Sequence, residues 1–399
     1  MVTTINQDYH IEIDVQQKKP PGEIACGDVF VSDIFREEGR TILVLSDGIG
    51  HGIKASVLAQ LTATMALKYT RFHTKPEISS RIIMEALPKS NDGKENYATF
   101  TIIELETDGQ VRIINYDNPP VLIIRNGKSF QPKEYELEVR GSKNVGKLLR
   151  CREFMARKED RMIFLTDGVV QSGLGNKRYP IGWGIENINN FVLTQINRMP
   201  NISAAKLARK VINQASMNDH FKVKDDTTCG VIYFREPRRF MLITGPPFYK
   251  IKDYDFADRI KNFNGEKIIC GGTTAEIIAR ELGIEVKIQH AAKNPEMLPP
   301  VAGMEGFEMV TEGILTLGKV EEILESYNSE THLEDSPAEK VVKLLLQHDS
   351  IEIILGTRIN WAHQDPEQPL ELELRKFVVK RIVKILTNKF FKHVEIEYL

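Results

Sequence analysis

The sequence predicts an α+β domain followed by an α/β domain. Before residue 235, strand and helix patterns come in blocks, which favours antiparallel sheets with helices packed outside them. After residue 239, apolar strands alternate with helices, which favours a mostly parallel sheet. Between the two lies Arg235–Arg239, a charged stretch broken by a proline, as is typical of a domain boundary. We therefore predict domains over residues 1–236 and 240–399.

In the first domain, the order of elements follows from the spacing of apolar residues. Two apolar runs, 24–35 and 41–46, predict a β-hairpin around a turn at residues 37–40. Helical spacing follows over residues 53–69, with a stripe made of Val57, Leu58, Leu61, Met65 and Tyr69. The other predicted elements are a second helix through residues 78–87, strands over 98–105, 111–116, 121–125 and 161–166, helices near 185–196 and 203–215, and a last strand over 228–234.

In the second domain, three apolar strands each lead into a turn rich in glycine and threonine. These strands cover residues 267–270, 307–310 and 351–355. Ser336 begins a helix with a capping box, because proline follows it and Glu339 stands three residues on. We expect an α/β domain with a regulatory or ligand-binding role. Its motifs do not identify a family.

One turn of this second domain has the composition of an anion site. Gly271, Gly272, Thr273 and Thr274 lie between a strand and a helix, where backbone N–H groups suit phosphate or carboxylate. The turn lacks a P-loop lysine and the GxGxxG spacing. Two interpretations therefore stay open: a site for a small anionic ligand, or a structural strand–helix turn.

Composition restricts the class of protein. Of the 399 residues, 53 are Lys or Arg and 55 are Asp or Glu, so the formal charge is −2. This balance argues against nucleic acid or a membrane surface as the main partner. The four cysteines form no CxxC pair, which indicates reduced thiols. With no apolar run of membrane length and a polar N-terminal stretch, the expected location is the cytoplasm.

The most informative motif is the run from Ile42 to Gly52. An apolar strand ends in Asp47, and three glycines then turn the chain into a helix. A carboxylate only accepts hydrogen bonds, and glycine lets backbone carbonyls approach a ligand, so the turn suits a hard cation such as Mg²⁺ or Mn²⁺. A simple turn would give the same pattern, and a cation site requires further carboxylates at the same place.

Other aspartates stand at strand ends in the same way. The hairpin, if it turns at Glu38–Gly39, places Asp28 opposite Ile49 and makes Asp47 its diagonal neighbour on one face. Asp167 ends the strand that contains residues 162–166, and Asp225 and Asp226 precede the last strand. The pattern predicts that these carboxylates meet, with independent turns as the alternative.

The order of these motifs resembles the SpoIIE/RsbU branch of the PPM (PP2C-like) phosphatases. The motifs are Gly27–Asp28, the DGIGHG run over 47–52, Thr166–Asp167–Gly168–Val169 and the DDTT run over 225–228. The resemblance covers residues 20–235. It implies a four-layer αββα sandwich of two antiparallel sheets flanked by helices. The implied activity is metal-dependent removal of phosphate from phosphoserine or phosphothreonine in a protein.

The resemblance also implies roles for single residues. Asp28 and Asp47 would bridge or flank two Mn²⁺ or Mg²⁺ ions, and Gly48 would offer its backbone carbonyl. Asp167 and Asp225 would bind one of the metals, with Asp226 as a further ligand. Two such ions bind phosphoryl oxygens and activate a water for attack.

His51 has two interpretations. It is a candidate general acid for the leaving alkoxide, or a structural histidine at the start of the helix. Because its spacing from Asp47 differs from that of the histidine in eukaryotic PP2C proteins, no role is transferred to it.

Two functions from different classes follow. The first is a metal-dependent protein serine/threonine phosphatase that acts on a phosphorylated bacterial signalling regulator, such as an anti-sigma-factor antagonist. The second is a catalytically weak or silent PPM-like scaffold or sensor whose C-terminal domain binds a small ligand. The presence of Asp28, Asp47, Asp167 and Asp225 together favours the enzyme.

Overall fold

The computed structural model divides the chain into two compact units, Met1–Glu236 and Pro237–Leu399. It describes residues 5–6, 9–35, 37–48, 50, 52–86, 98–139, 147–288, 302–328, 331–358, 368–390 and 392–399. Within that part of the chain, no helix has the length and apolar character needed to cross a membrane.

The first unit contains two six-stranded sheets and five helices among its described residues. In chain order these elements are β1 Ile5–Asn6, β2 Tyr9–Lys18, β3 Asp28–Phe35, β4 Arg40–Gly48, α1 Gly52–Arg71, α2 Pro76–Ala86, β5 Ala98–Glu106, β6 Gln110–Tyr116, β7 Leu122–Arg125, β8 Lys128–Ser129, β9 Glu134–Glu138, β10 Leu148–Met155, β11 Arg161–Leu165, α3 Asp167–Val170, α4 Ile185–Arg198, α5 Ala204–Asn218 and β12 Thr227–Arg235. The strand orders are β1-β2-β12-β11-β7-β8 and β3-β4-β5-β6-β10-β9, and neighbouring strands are antiparallel.

Three apolar layers hold this unit together. Between the sheets, side chains such as Ile13 and Phe164 of one sheet pack against Leu43 and Ile103 of the other. Helices α4 and α5 cover the outer face of the first sheet, and α1 and α2 cover that of the second. The result is the four-layer αββα sandwich that the sequence predicted.

The hairpin register differs from the prediction by two residues. In the β3–β4 pair, Asp28 lies directly opposite Asp47, and Phe35 lies opposite Arg40. The predicted pairing of Asp28 with Ile49 is therefore wrong, although both registers keep the two aspartates on one face because side chains alternate with period two. The connection is centred one residue earlier in the chain than the assumed turn at Glu38–Gly39, because Phe35 pairs with Arg40.

The predicted stripe of α1 is wrong at Val57 and Leu61, whereas Leu58 is buried and Met65 and Tyr69 pack against the core. Val57 and Leu61 are 61% and 40% exposed, whereas Ala55, Ala59, Ala63 and Ala66 are buried. The helix therefore packs a face of small residues onto β3 and β4, which lets its backbone approach the sheet closely.

The second unit is an α/β domain, as predicted. Its elements are β13 Arg239–Thr244, a 3₁₀ turn Lys250–Lys252, α6 Asp253–Lys261, β14 Glu266–Cys270, α7 Gly272–Leu282, β15 Val286–Ile288, β16 Ala302–Met304, β17 Phe307–Thr311, α8 Ile314–Ser326, α9 Pro337–Gln347, β18 Ser350–Leu355, α10 Gln368–Asn388 and β19 His393–Tyr398. The sheet order is β15-β16-β17-β14-β13-β18-β19. The five strands β17, β14, β13, β18 and β19 are parallel to their neighbours in this group, whereas the pairs β15–β16 and β16–β17 are antiparallel.

Helices cover both faces of this sheet. Side chains of α6 and α7 pack with Met241 and Ile243 on one face. Side chains of α8, α9 and α10 pack with Phe240 and Leu242 on the other. The capping box predicted at Ser336 is present, because Ser336 and Glu339 exchange side-chain-to-backbone hydrogen bonds at the start of α9.

Candidate metal centre

The candidate site lies where strand ends from both sheets of the first unit meet. Asp28 begins β3 and Asp47 stands near the end of β4, so their antiparallel pairing sets them side by side. In the other sheet, β11 ends just before Asp167, beside the start of β12, which follows Asp225 and Asp226. Directly opposed residues on one face have Cβ atoms about 5 Å apart.

At Gly48, the close approach of α1 to the end of β4 leaves no room for a side chain. A Cβ on Gly48 would lie 2.1 Å from the carbonyl oxygen of Ala55 in α1. Gly50 and Gly52 have φ values of +83° and +78°, a region that glycine adopts freely. Glycines at these positions thus let α1 begin immediately beside Asp47. Ile49 and His51 lie outside the described residues, so neither interpretation of His51 is tested.

Two threonine hydroxyls join the sheets at Asp28. Thr166 Oγ1 and Thr228 Oγ1 donate to the same Asp28 Oδ2 atom, at 2.8 and 2.6 Å. Gln17 Nε2 in turn donates to Thr228 Oγ1 at 3.0 Å. The sequence reasoning assigned no role to these threonines, although both stand inside the quoted motifs, one before Asp167 and one at the end of the DDTT run.

Asp226 is held by a backbone group of the Gly27–Asp28 motif. The Gly27 backbone N–H donates to Asp226 Oδ2 at 2.8 Å, and Asp226 is only 2% exposed. Asp225 Oδ1 accepts the backbone N–H of Asp226 at 2.8 Å. The structure thus places the DDTT run against the Gly27–Asp28 motif.

Asp167 is the first residue of the short helix α3. Its Oδ2 atom accepts a hydrogen bond from Gln171 Nε2 at 2.6 Å. The carboxylate lies close enough to Asp47 for a side-chain hydrogen bond that raises the pKa of Asp47.

Burial and neighbouring carboxylates raise the pKa of two of these aspartates. Burial, followed by repulsion from Asp28, Asp167 and Asp225, raises the pKa of Asp47 to about 9. Burial also raises the pKa of Asp28 to about 7; hydrogen bonds from Thr228 and Thr166 oppose the rise, and Asp226 and Asp225 add to it. Carboxylates at five positions in four chain segments therefore repel one another, and a cation would relieve that repulsion.

The donor set fits a hard divalent cation. Asp28 Oδ1 and Asp226 Oδ1 are buried and lack a hydrogen-bond partner. Such buried oxygens lower the stability of the fold unless a positively charged group binds them. All the side-chain donors here are oxygens, which Mg²⁺ and Mn²⁺ prefer. Across the described ranges, no three carboxylate, histidine or cysteine side chains already stand in ligand geometry. Metal binding would therefore have to draw the carboxylates closer together.

The predicted anion turn lies in the other unit. Gly271 precedes α7 with a φ of +141°, and Gly272, Thr273 and Thr274 form the first turn of the helix, after the end of β14. Among the described residues, nothing distinguishes a site for a small anionic ligand from a structural strand–helix turn, so both interpretations remain.

The first unit is similar to the SpoIIE family. The family model for Stage II sporulation protein E (SpoIIE) matches residues 37–235, which is just under half of the chain. This match confirms the resemblance seen in the motifs. A comparison with curated protein sequences found no match.

Solved structures of PP2C-type proteins are similar to the chain. The phosphatase domain of the cell fate determinant SpoIIE from Bacillus subtilis is 15% identical, with 57% of this chain and 94% of that chain covered and a TM-score of 0.43. RsbX in complex with magnesium is 18% identical, with 58% and 98% covered and a TM-score of 0.40. The catalytic domain of the serine/threonine protein phosphatase PstP in complex with two manganese ions is 14% identical, with 57% and 99% covered and a TM-score of 0.39.

Proposed function

We propose that residues 1–236 form a metal-dependent protein serine/threonine phosphatase domain. The observation that carries this proposal is the meeting of Asp28, Asp47, Asp167, Asp225 and Asp226, with two buried carboxylate oxygens that lack hydrogen-bond partners. The match to the SpoIIE family model over residues 37–235 supports the same activity. The presence of the full set of aspartates also favours an enzyme over a silent scaffold.

In this proposal, the five aspartates and the Gly48 carbonyl hold two Mn²⁺ or Mg²⁺ ions. When bound, such ions polarise phosphoryl oxygens and lower the pKa of a coordinated water. The chain's own residues orient the ligands. Thr166 and Thr228 fix Asp28, and the Gly27 N–H fixes Asp226.

The proposed substrate is a protein that carries phosphoserine or phosphothreonine. By family resemblance, we propose a bacterial signalling regulator such as an anti-sigma-factor antagonist, encountered in the cytoplasm. Residues 240–399 are proposed to regulate this activity or to bind a small ligand, with Gly271–Thr274 as the candidate anion turn.

Hydrolysis of an aryl phosphate and of a phosphoserine peptide, each with and without Mn²⁺, tests the activity. We expect metal-dependent turnover that Asp47→Asn lowers by at least about a thousandfold, because a shared ligand is lost. Asp108→Asn is the matched control, since Asp108 lies in the exposed β5–β6 turn. Absence of metal-dependent turnover with both substrates would show that the proposed activity is wrong and would leave the scaffold alternative.

A further inference from the structure

A cavity of about 450 Å³ lies between the segment after α3 and the end of α5. Its lining includes Lys177, Arg178 and Tyr179 from the first segment, and Met217 and His220 from the second. Among the described residues, no carboxylate lines it. We call this cavity the cationic groove.

The groove is built, because hydrogen bonds fix both of its walls. Asn176 Nδ2 donates to the Asn218 carbonyl at 2.9 Å, and Asn176 Oδ1 accepts the Tyr179 N–H at 3.0 Å. The nearby carboxylate of Asp219 is 8% exposed and accepts the Gly173 N–H at 2.7 Å. That acidic group is thus already engaged within the protein, and the accessible charges of the lining are positive.

Both walls lead directly to the candidate metal centre. The first wall follows α3, which begins at Asp167, and the second reaches Asp225 five residues after His220. Lys224 Nζ donates to the Leu174 carbonyl at 3.0 Å and so joins the two segments next to the carboxylates. The segments that line the groove therefore continue along the chain into residues proposed to bind metal.

The side chains of the groove define the chemistry of its occupant. Lys177 and Arg178 are exposed and carry formal positive charges, while Tyr179 and the half-exposed Met217 offer apolar surface. Exposed cations attract carboxylates, and their effect is screened by salt. Tyrosine and methionine suit the aliphatic parts of a peptide chain.

We propose that the cationic groove binds an acidic segment of the phosphoprotein substrate beside the phosphorylated residue. This proposal rests on the proposed phosphatase function and adds a preference to it. The groove would discriminate between phosphoproteins by the charge of their flanking residues, whereas the metal centre would act on the phosphoryl group common to all of them.

Peptide binding tests the groove without turnover. Fluorescence anisotropy on the Mn²⁺-loaded full chain would compare two labelled serine peptides without phosphate, flanked by glutamates or by glutamines. We expect the glutamate peptide to bind roughly five- to twentyfold more tightly at low salt, as two exposed ion pairs would give. The difference should disappear near 0.5 M NaCl, where the Debye length is only a few ångströms.

Charge reversal identifies the residues. Lys177→Glu with Arg178→Glu should abolish the preference for the glutamate peptide, and the alanine pair should reduce it. Lys128→Glu with Lys133→Glu changes the net charge equally at two exposed positions, one in β8 and one just before β9, and should keep the preference. Equal binding of both peptides by the unmodified protein, or an unchanged preference in the groove variants, would overturn the proposal. Aryl phosphate turnover reports separately on the proposed function, because that substrate has no flanking residues.

Discussion

At the residue scale, Asp28 shows how neutral side chains prepare an acidic site. One of its oxygens accepts two threonine hydroxyls, and the other is buried without a partner. The hydroxyls favour the charged carboxylate, while burial favours the neutral one. Thr166 and Thr228 therefore hold Asp28 in a single orientation and keep one oxygen available.

Removal of one hydroxyl should weaken metal binding. For Thr228→Val we expect the Mn²⁺ concentration for half-maximal activity to rise about tenfold, because partners that orient a ligand contribute to metal affinity. Thr62→Val is the control, since Thr62 Oγ1 is buried but has no hydrogen-bond partner to lose. A Mn²⁺ titration of phosphatase activity measures both. Equal shifts in the two variants would contradict the orienting role.

The raised pKa values predict how the stability of the first unit depends on pH when a chelator keeps it free of metal. The pKa of Asp47 is about 9 in the folded chain, against about 4 for an ordinary aspartate. The folded state therefore binds more protons than the unfolded state between these two values, and stability falls as pH rises from about 4 to about 9. We expect the Tm of the first unit to drop by a few degrees, roughly 2–6 °C, between pH 6 and pH 9.

Asp47→Asn removes the titrating group and should flatten this pH profile. Thermal melts in a chelator at several pH values would compare the variant with the unmodified protein. An equal slope in both would mean that other groups determine the pH dependence.

At the element scale, the close contact between β4 and α1 explains why the glycine after Asp47 is needed. The backbone carbonyl of Ala55 occupies the place of a Gly48 side chain. Small residues on the buried face of α1 continue the same close packing. The site therefore depends on helix–sheet distance as well as on its carboxylates.

Gly48→Ala should lower the stability of the first unit by about 1–3 kcal/mol, because the added methyl group meets backbone that cannot rotate away. Gly318→Ala is the comparison: it lies within α8, and an added Cβ would meet no atom within 4 Å. That change should raise the stability of the second unit slightly. Calorimetric melts measure both, and an unchanged melt of Gly48→Ala would contradict the packing described for α1.

The elements show where sequence reasoning succeeds. The strand-end aspartates can be found from the sequence because a carboxylate beside glycine at the end of an apolar run is a local pattern. The buried face of α1 cannot be predicted in the same way, because Val57 and Leu61 are apolar but exposed. The alanines of α1 allow a short distance between helix and sheet, and that distance decides which side of the helix is buried. The predicted register of the β3–β4 hairpin differs from the observed one by two residues. A two-residue shift keeps every side chain on the same face, so the alternation of apolar and polar residues cannot detect it. Thr166 and Thr228 act only across two sheets, which no local pattern shows.

At the scale of the whole molecule, each unit has its own apolar core. The sandwich is held by clusters between and outside its sheets, and the α/β unit by one cluster on each face. The fold class of both was predictable because block order and alternation of elements are properties of the entire chain.

A fragment of residues 1–236 should therefore fold alone and keep metal-dependent turnover. We expect cooperative unfolding and a Mn²⁺ requirement within about threefold of the full chain, because the proposed ligands and their partners all lie in this unit. Calorimetry and aryl phosphate hydrolysis measure these properties. A folded fragment without turnover would show that residues 237–399 contribute to the active site.

The direct opposition of Asp28 and Asp47 has a consequence for how the hairpin reaches its native pairing. A two-residue slip keeps every side chain on its own face, so apolar burial separates the two pairings only weakly. The native pairing carries the like-charge penalty, whereas the slipped one sets Asp28 against Ile49. If both carboxylates held one divalent cation, as proposed above, that penalty would become an attraction. The same cation would then also favour the native alignment of the two strands over the slipped one.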